Sequence, residues 1–151
     1  MRAWAEINLD AIANNIKQIK KLTKPETKIM AVVKADAYGH GFFEVTNVLQ
    51  QNGADAFAVA TTDEAIQLRK SGFTAPVLIL GVIFRDDLEK IIQNDIMPVV
   101  FGNNFAKIIS DTAVKLGKTA KIHIKLDTGM SRLGYVCSGN ADYEKICDSI
   151  E

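Results

Sequence analysis

The sequence predicts an α/β fold in which consecutive strand–helix units build a parallel sheet. Five short apolar segments, rich in branched aliphatic side chains, have the length and continuity of strands that are buried on both faces. Segments with a helical spacing of apolar residues separate them, at intervals that match one βα unit. Neither a linker nor a shift in composition interrupts this alternation, so we expect a single domain over residues 1–151.

The alternation of strands and helices can be followed along the chain. The predicted strands are, in order, Lys28–Lys34, Ala56–Ala60, Pro76–Leu80, Met97–Phe101 and Ala120–Leu126. The helices predicted between them are Gly41–Gln51, Thr62–Lys70, Asp86–Gln93 and Asn103–Leu116. Thr62 and Asp63 are candidate caps for the second of these helices, and Gly117 is placed like a C-cap after the last.

The first residues add two elements ahead of these units. Trp4–Leu9 alternates between apolar and polar residues, which is typical of an edge strand. Asp10 then has the position and the chemistry of an N-cap for a helix over Ala11–Lys21. We therefore expect an N-terminal strand and helix to precede the parallel units.

The composition argues against several classes of partner. The chain carries 18 basic and 18 acidic residues, and a net charge of zero gives no electrostatic basis for binding nucleic acid or an anionic membrane surface. No apolar run approaches the roughly 18–20 residues of a membrane span, and the charged start is unlike a signal peptide, so we expect a cytoplasmic protein. Cys137 and Cys147 form no disulfide framework, and no metal-ligand spacing occurs, which predicts free thiols and no metal site.

Lys34 is the first candidate for chemistry. It ends a predicted apolar strand, and the C-terminal ends of parallel strands carry the active sites of α/β folds. Desolvation at such a place favours the neutral amine, which can attack an aldehyde and form a Schiff base. Tyr38 and His40 follow within one turn. The alternative interpretation is a lysine that merely ends the strand and extends into solvent.

A second group of polar residues lies in the last predicted strand and the turn after it. Period-two alternation places His123, Lys125 and Asp127 on one face of that strand. If this face is the interior of a barrel, each charge on it has to be paired or modified. Arg132, beyond the turn, offers a planar donor group suited to an oxyanion or a phenolate. The alternative is an edge strand with a solvated polar face.

Periodicity alone leaves two architectures open. Five strands in a chain of this length fit a closed flavodoxin-like sheet, whereas an eight-stranded barrel typically takes about 250 residues. The triplet Asp127-Thr128-Gly129 also occurs in aspartic proteases, but those are all-β proteins, and the α/β alternation argues against that class. The sequence contains no P-loop and no dinucleotide-binding motif.

Longer segments resemble the alanine racemase family. Ala31–Gly41 (AVVKADAYGHG) is similar to the family's pyridoxal-phosphate lysine motif, Lys125–Gly134 (KLDTGMSRLG) to its second signature, and Trp4–Ile16 (WAEINLDAIANNI) to its start. The likeness covers essentially the whole chain. It implies a partial TIM barrel with about five of the eight strands. Residues 1–151 would be the N-terminal part of the barrel domain, without the remaining strands and a C-terminal β domain.

The resemblance also implies a role for each matching residue. Lys34 would hold pyridoxal 5'-phosphate as the internal aldimine and would act as one of two bases. Tyr38 would approach the cofactor phosphate, Val32 and Leu80 would line the pocket, and Arg132 would bind the phenolic oxygen of the cofactor.

Two further residues of the second signature receive roles in the same way. Lys125 matches a position that family members often carry as a carbamate, an anion that can pair with Arg132 and hold its orientation. Met130 lies near the position where the substrate carboxylate is held, so Met130 and Arg132 are expected to contact substrate.

The function implied is the interconversion of L- and D-alanine, which supplies D-alanine for peptidoglycan, by a parent protein that is a homodimer. The second base would lie outside this chain, so we expect the 151 residues alone to be inactive. Serine or broad-specificity racemases share both signatures and remain an alternative. A non-catalytic pyridoxal-phosphate homeostasis protein, which is a lone barrel, and a flavodoxin-like binding module are the others.

Overall fold

The described part of the chain comprises residues 3–137, 139, 142, 144 and 146–148 of a computed structural model. The chain divides into two compact units, Met1–Val77 and Leu78–Glu151. The first unit contains helix α1 (Leu9–Leu22), strand β1 (Met30–Val32), the short helical turn α2 (Lys34–Gly39), helix α3 (Phe42–Gln51), strand β2 (Ala56–Val59) and helix α4 (Thr62–Lys70). Strand β3 (Val77–Ile79) begins at the last residue of that unit.

The second unit repeats the strand–helix pattern and ends in short strands. Its elements after β3 are a 3-10 turn (Arg85–Asp87), helix α5 (Leu88–Gln93), strand β4 (Ile96–Val100), helix α6 (Asn103–Lys115) and the strands β5 (His123–Ile124), β6 (Leu126–Asp127) and β7 (Tyr135–Val136). Strands β1 to β5 are hydrogen-bonded in chain order, while β6 and β7 form a separate parallel pair.

The strand pairing within each unit is parallel. In the first unit β1 pairs with β2, with Met30 opposite Ala56, and in the second unit β4 pairs with β5, with Val99 opposite His123. All four residues of β2 and all three of β3 are buried, as expected for strands covered on both faces. The prediction of an α/β fold with parallel (β/α) units is therefore confirmed, and each of the five predicted strand segments overlaps a strand of the sheet.

The N-terminal strand predicted over Trp4–Leu9 is wrong. Residues 3–8 have no regular secondary structure, and Leu9 already belongs to α1. Asn8, not Asp10, caps this helix, because its side-chain oxygen accepts a hydrogen bond from Ala11 N at 2.9 Å. Both residues have suitable side chains, and the helix begins two residues earlier than the apolar spacing predicts, so Asp10 lies in the first turn.

The cap of α4 also lies ahead of the predicted residues Thr62 and Asp63. Thr61 is the N-cap, and its hydroxyl accepts from Glu64 N at 3.3 Å. The Glu64 carboxylate in return accepts from Thr61 N at 3.2 Å, which completes a reciprocal capping box. The helix itself has the predicted bounds. The cap is misplaced in the prediction because Thr61 lies ahead of the segment whose apolar spacing predicts the helix.

The strand predicted over Ala120–Leu126 is divided in two at Lys125. Lys125 N donates to Val100 O at 2.9 Å, which continues the ladder with β4. Its carbonyl accepts from Tyr135 N at 2.8 Å, which begins the ladder with β7. The strand thus changes its partner at this residue, and a single alternating pattern cannot reveal such a change. Of the predicted inward-facing residues, Lys125 and Asp127 are half-buried and His123 is exposed.

Two further expectations concern the whole chain. Cys137 and Cys147 are both free, as predicted, and both are partly buried. Within the described residues, none of the helices combines the length and the apolar character that a membrane crossing requires. The helices contribute buried residues to the core, such as Ile16 of α1 and Leu68 of α4.

Candidate active site

Lys34 opens a turn with unusual backbone geometry. Strand β1 ends at Val32, Val33 is 1% exposed, and residues 35–38 of α2 all have φ between 51° and 58°. The predicted strand end at Lys34 is therefore wrong, because the chain enters a left-handed conformation there. Such a conformation costs an L-residue roughly 1–2 kcal/mol, so four in succession persist only where other contacts compensate.

Backbone and carboxylate hydrogen bonds hold this turn from within. Ala37 N donates to Val33 O at 3.0 Å, and Gly41 N donates to Asp36 O at 3.1 Å. The Asp36 carboxylate accepts from Phe42 N at 2.8 Å, at the first residue of α3. The turn is thus tied to the end of β1 on one side and to the start of α3 on the other. Gly41, with φ at 95°, allows the chain to pass from the turn into the helix.

Glu64 connects this turn to the next strand–helix unit. One carboxylate oxygen accepts from Ala35 N at 2.7 Å, and the other accepts from Ala60 N at 2.7 Å and from Thr61 N at 3.2 Å. Sequence reasoning missed this residue as part of the site. The Thr61–Glu64 spacing is a capping-box pattern and signals a helix start, but nothing local predicts a bond to Ala35, 29 residues away.

The side chains of Lys34 and Tyr38 lie together at this turn. The Lys34 amine (Nζ) is 5.9 Å from the centre of the Tyr38 ring, within the range of a cation–π contact. Lys34 is half-buried, whereas Tyr38 is 59% exposed. Val32, the last residue of β1, is 41% exposed. An amine and a phenol therefore lie together just beyond the C-terminal end of β1.

In the second unit, two more of the predicted residues are in contact. The Lys125 amine donates to the carbonyl oxygen of Leu80 at 3.4 Å. Both residues are half-buried, and Leu80 comes directly after β3. The contact joins the C-terminal end of β3 to the point at which β5 gives way to β6. The Lys125 amine, between β5 and β6, thus lies at the same end of the sheet as Leu80.

Asp127 organises the loop between β6 and β7. One of its carboxylate oxygens accepts from Ser131 N at 2.9 Å and from Gly129 N at 3.0 Å. The backbone N–H of Ser131, followed by that of Gly129, lowers the pKa of Asp127 from its usual value of 3.8. Gly134 closes the loop, and a side chain there would meet the backbone of Asp127, because a Cβ would lie 2.6 Å from Asp127 N.

Arg132 and Met130 lie next to each other on this loop. The Arg132 guanidinium is 2.7 Å from the sulfur of Met130, and both side chains are exposed. Tyr135 anchors the end of the loop, since its hydroxyl donates to the Asn103 side chain at 3.0 Å. The guanidinium therefore lies on a loop that is ordered by hydrogen bonds from backbone N–H groups to the Asp127 carboxylate. Its donors are accessible to a ligand.

The predicted residues thus form two groups. Lys34, Tyr38 and Val32 belong to the first unit, while Leu80, Lys125, Met130 and Arg132 belong to the second. Within the groups, Lys34 contacts Tyr38, Lys125 contacts Leu80, and Arg132 contacts Met130. The first group holds a potential nucleophile and the second a potential anion-binding residue.

Comparison with known proteins decides the family. The family described as alanine racemase, N-terminal domain, matches residues 7–151. The chain belongs to this family. Its fold is accordingly the partial TIM barrel predicted from the sequence, and the flavodoxin-like alternative is not supported.

Individual members of the family agree with this assignment. An alanine racemase of Methanococcus maripaludis is 51% identical over 133 residues, covering 88% of this chain and 36% of the relative. The structure of an alanine racemase of Clostridium difficile superposes with a TM-score of 0.87 at 40% identity, covering 97% of this chain and 38% of that one. A histidine racemase of Leuconostoc mesenteroides superposes with a TM-score of 0.83 at 28% identity, covering 95% and 38%. The chain thus spans little more than a third of the length of these relatives.

Proposed function

We propose that the protein containing this chain is an amino-acid racemase that uses pyridoxal 5'-phosphate and interconverts L- and D-alanine. The observation that carries the proposal is the half-buried amine of Lys34, held beside Tyr38 in a left-handed turn at the end of β1. A conformation this costly, supported by several hydrogen bonds, is typical of functional sites. Membership of the alanine racemase family supports the same chemistry.

The residues present fit this cofactor. Its reactive groups are an aldehyde, a phosphate and a phenolic oxygen, and the chain offers an amine (Lys34), an exposed phenol (Tyr38) and an exposed guanidinium (Arg132). Val32 and Leu80 supply partly exposed apolar surface at the ends of β1 and β3. When bound, pyridoxal phosphate withdraws electrons from the α-carbon of an attached amino acid and makes its proton removable.

Lys34 has two tasks in this proposal. Its amine would hold the cofactor through the aldehyde carbon, and the same amine would accept or return the α-proton of the substrate on one face. Both tasks need the neutral amine. Racemisation also needs a base on the opposite face, which we expect from residues outside this chain.

Lys125 and Arg132 have supporting tasks. A lysine that reacts with carbon dioxide becomes an anionic carbamate, and we propose that Lys125 carries this group and pairs with Arg132. Arg132 would then present its remaining donors to the phenolic oxygen of the cofactor and, with Met130, to the substrate. The Lys125–Leu80 hydrogen bond supports this arrangement, because it holds the Lys125 side chain at the C-terminal end of β3.

Alanine is the proposed substrate because the curated relative and the solved structure of higher identity are alanine racemases. The histidine racemase match means that the amino acid must be tested directly. A role in supplying D-alanine for peptidoglycan, a homodimer and a cytoplasmic location remain predictions that rest on the resemblance and the composition.

Two measurements test the proposal. Incubation with pyridoxal phosphate, followed by borohydride reduction and peptide mapping, should label Lys34, with exposed Lys17 as the internal control lysine. The complete protein should exchange the α-proton of alanine for deuterium from either enantiomer, and faster than that of serine or histidine. Labelling of other lysines in place of Lys34 would refute the proposed site, and cofactor binding without α-proton exchange would favour the homeostasis protein.

A further inference from the structure

The left-handed turn that carries Lys34 is not explained by its own residues. Of the four non-glycine residues of α2 with positive φ, two are alanines and one is a tyrosine, which have no preference for this conformation. Only Asp36 belongs to a type that visits it readily. Contacts from outside α2 therefore contribute to this conformation, and the Glu64 carboxylate of α4 supplies one of them.

The geometry of Glu64 suits this purpose. Its two oxygens accept hydrogen bonds from three backbone N–H groups, and the shorter contacts are those to Ala35 and Ala60, each at 2.7 Å. Charged acceptors form stronger hydrogen bonds than neutral ones. The carboxylate therefore joins the first peptide of the Lys34 turn to the residue that follows β2.

We propose that Glu64 is a positioning residue for Lys34. The Ala35 N–H belongs to the peptide group that also contains the Lys34 carbonyl. A hydrogen bond to this N–H therefore fixes the orientation of that peptide plane, and with it the direction in which the Lys34 side chain leaves the backbone. Loss of the bond would free the turn to leave the left-handed region while the helices around it remain. This inference rests on the proposed function in so far as it concerns Lys34 chemistry.

The competing interpretation is that Glu64 only caps α4. Two substitutions separate these roles. Thr61→Ala removes the threonine half of the capping box and leaves both carboxylate oxygens in place. Glu64→Gln keeps the size of the side chain but leaves a single acceptor oxygen, so the N–H groups of Ala35 and Ala60 can no longer both be satisfied.

The experiment compares the full chain as wild type, Thr61→Ala and Glu64→Gln by two readouts. The first is amide hydrogen exchange at Ala35, measured by NMR without cofactor. The second is the rate at which Lys34 is labelled by pyridoxal phosphate and borohydride. We expect Glu64→Gln to speed exchange at Ala35 and to slow labelling by about tenfold or more, since misplacement of a reacting group costs rate steeply. Thr61→Ala should match the wild type in both readouts.

The outcomes are distinguishable. Equal changes in both variants, in proportion to their loss of thermal stability, would overturn the proposal and leave Glu64 as a cap. Unchanged exchange at Ala35 in Glu64→Gln would overturn it as well. Failure of the wild type to be labelled at Lys34 would instead count against the proposed function, and the exchange at Ala35 would still decide the role of Glu64.

Discussion

The Lys125 amine donates to the carbonyl oxygen of Leu80, 45 residues earlier in the chain, at 3.4 Å. This is a long hydrogen bond, and one neutral acceptor does little to offset the charge of a half-buried ammonium. Conversion of the amine to a carbamate keeps one N–H donor for Leu80 and replaces the positive charge by a negative one. The contact is therefore compatible with the proposed modification.

A carbamate on Lys125, as proposed, would make stability depend on dissolved carbon dioxide. We expect bicarbonate to raise the Tm of the wild type by up to about 2–4 °C, since a partly exposed ion pair contributes at most about 1 kcal/mol. Lys125→Met keeps the length of the side chain and cannot form a carbamate, so its Tm should not respond. Thermal unfolding with and without bicarbonate at constant ionic strength measures this, and the same shift in both proteins would count against the modification.

Gly134 is required by the close approach of the loop to β6. Its φ is 136°, and a Cβ would lie 2.6 Å from Asp127 N and 2.8 Å from Leu126 C. Gly129 has a similar φ of 126° but open space around its Cβ position, so Gly129→Ala measures the backbone cost alone. We expect Gly129→Ala to cost about 1–3 kcal/mol and Gly134→Ala to cost more. Denaturant unfolding of both variants tests this, and equal losses would contradict the steric argument.

Asp127 should make the order of its loop depend on pH. Its pKa is lowered in the folded chain because the N–H groups of Ser131 and Gly129 donate to the carboxylate. A lowered pKa means that the stabilisation is fully present above the unfolded value of 3.8 and is lost as the pH falls through the folded value. NMR titration should show the Ser131 and Gly129 amides moving together below pH 3.8 in the wild type.

Asp127→Asn supplies the comparison for that titration. The amide side chain can still accept from the two N–H groups, but it has no proton to gain in this range, so the loop amides should not titrate. Asp86→Asn in the same unit removes a carboxylate elsewhere and should leave the titration of the loop intact. Titration of the Ser131 amide that persists in Asp127→Asn would contradict the assigned cause.

The structure and the sequence pattern assign different N-cap residues to α1, Asn8 and Asp10 respectively. Asn8 accepts from Ala11 N, so Asn8→Ala should cost about 1 kcal/mol, whereas Asn8→Asp should cost little. Asp10 lies in the first turn, where a negative charge interacts favourably with the helix dipole, and Asp10→Ala should cost about 0.3–1 kcal/mol. Chemical denaturation of the three variants compares them, and a larger loss in Asp10→Ala than in Asn8→Ala would restore Asp10 as the cap.

The elements that the sequence predicts well are those with their own periodicity. Helix α4 has the predicted bounds, and β2 falls within its predicted segment, because buried apolar residues repeat at the spacing of the element itself. The prediction of an N-terminal strand is wrong because an alternating pattern does not show whether a neighbouring strand is available to pair with it. The last strand was predicted as one element because its pattern continues across Lys125, where the hydrogen-bonding partner changes.

The amino-acid sequence alone determined the parallel strand–helix order, the span of α4 and the choice of Lys34 and Arg132 as candidate residues, because local periodicity and residue chemistry can be recognised within short segments. Only the tertiary structure decided that Lys34 opens a left-handed turn, that Glu64 holds this turn and that Lys125 meets Leu80. These features depend on hydrogen bonds between residues far apart in the chain. The folded backbone brings such residues together, and no short segment contains both partners.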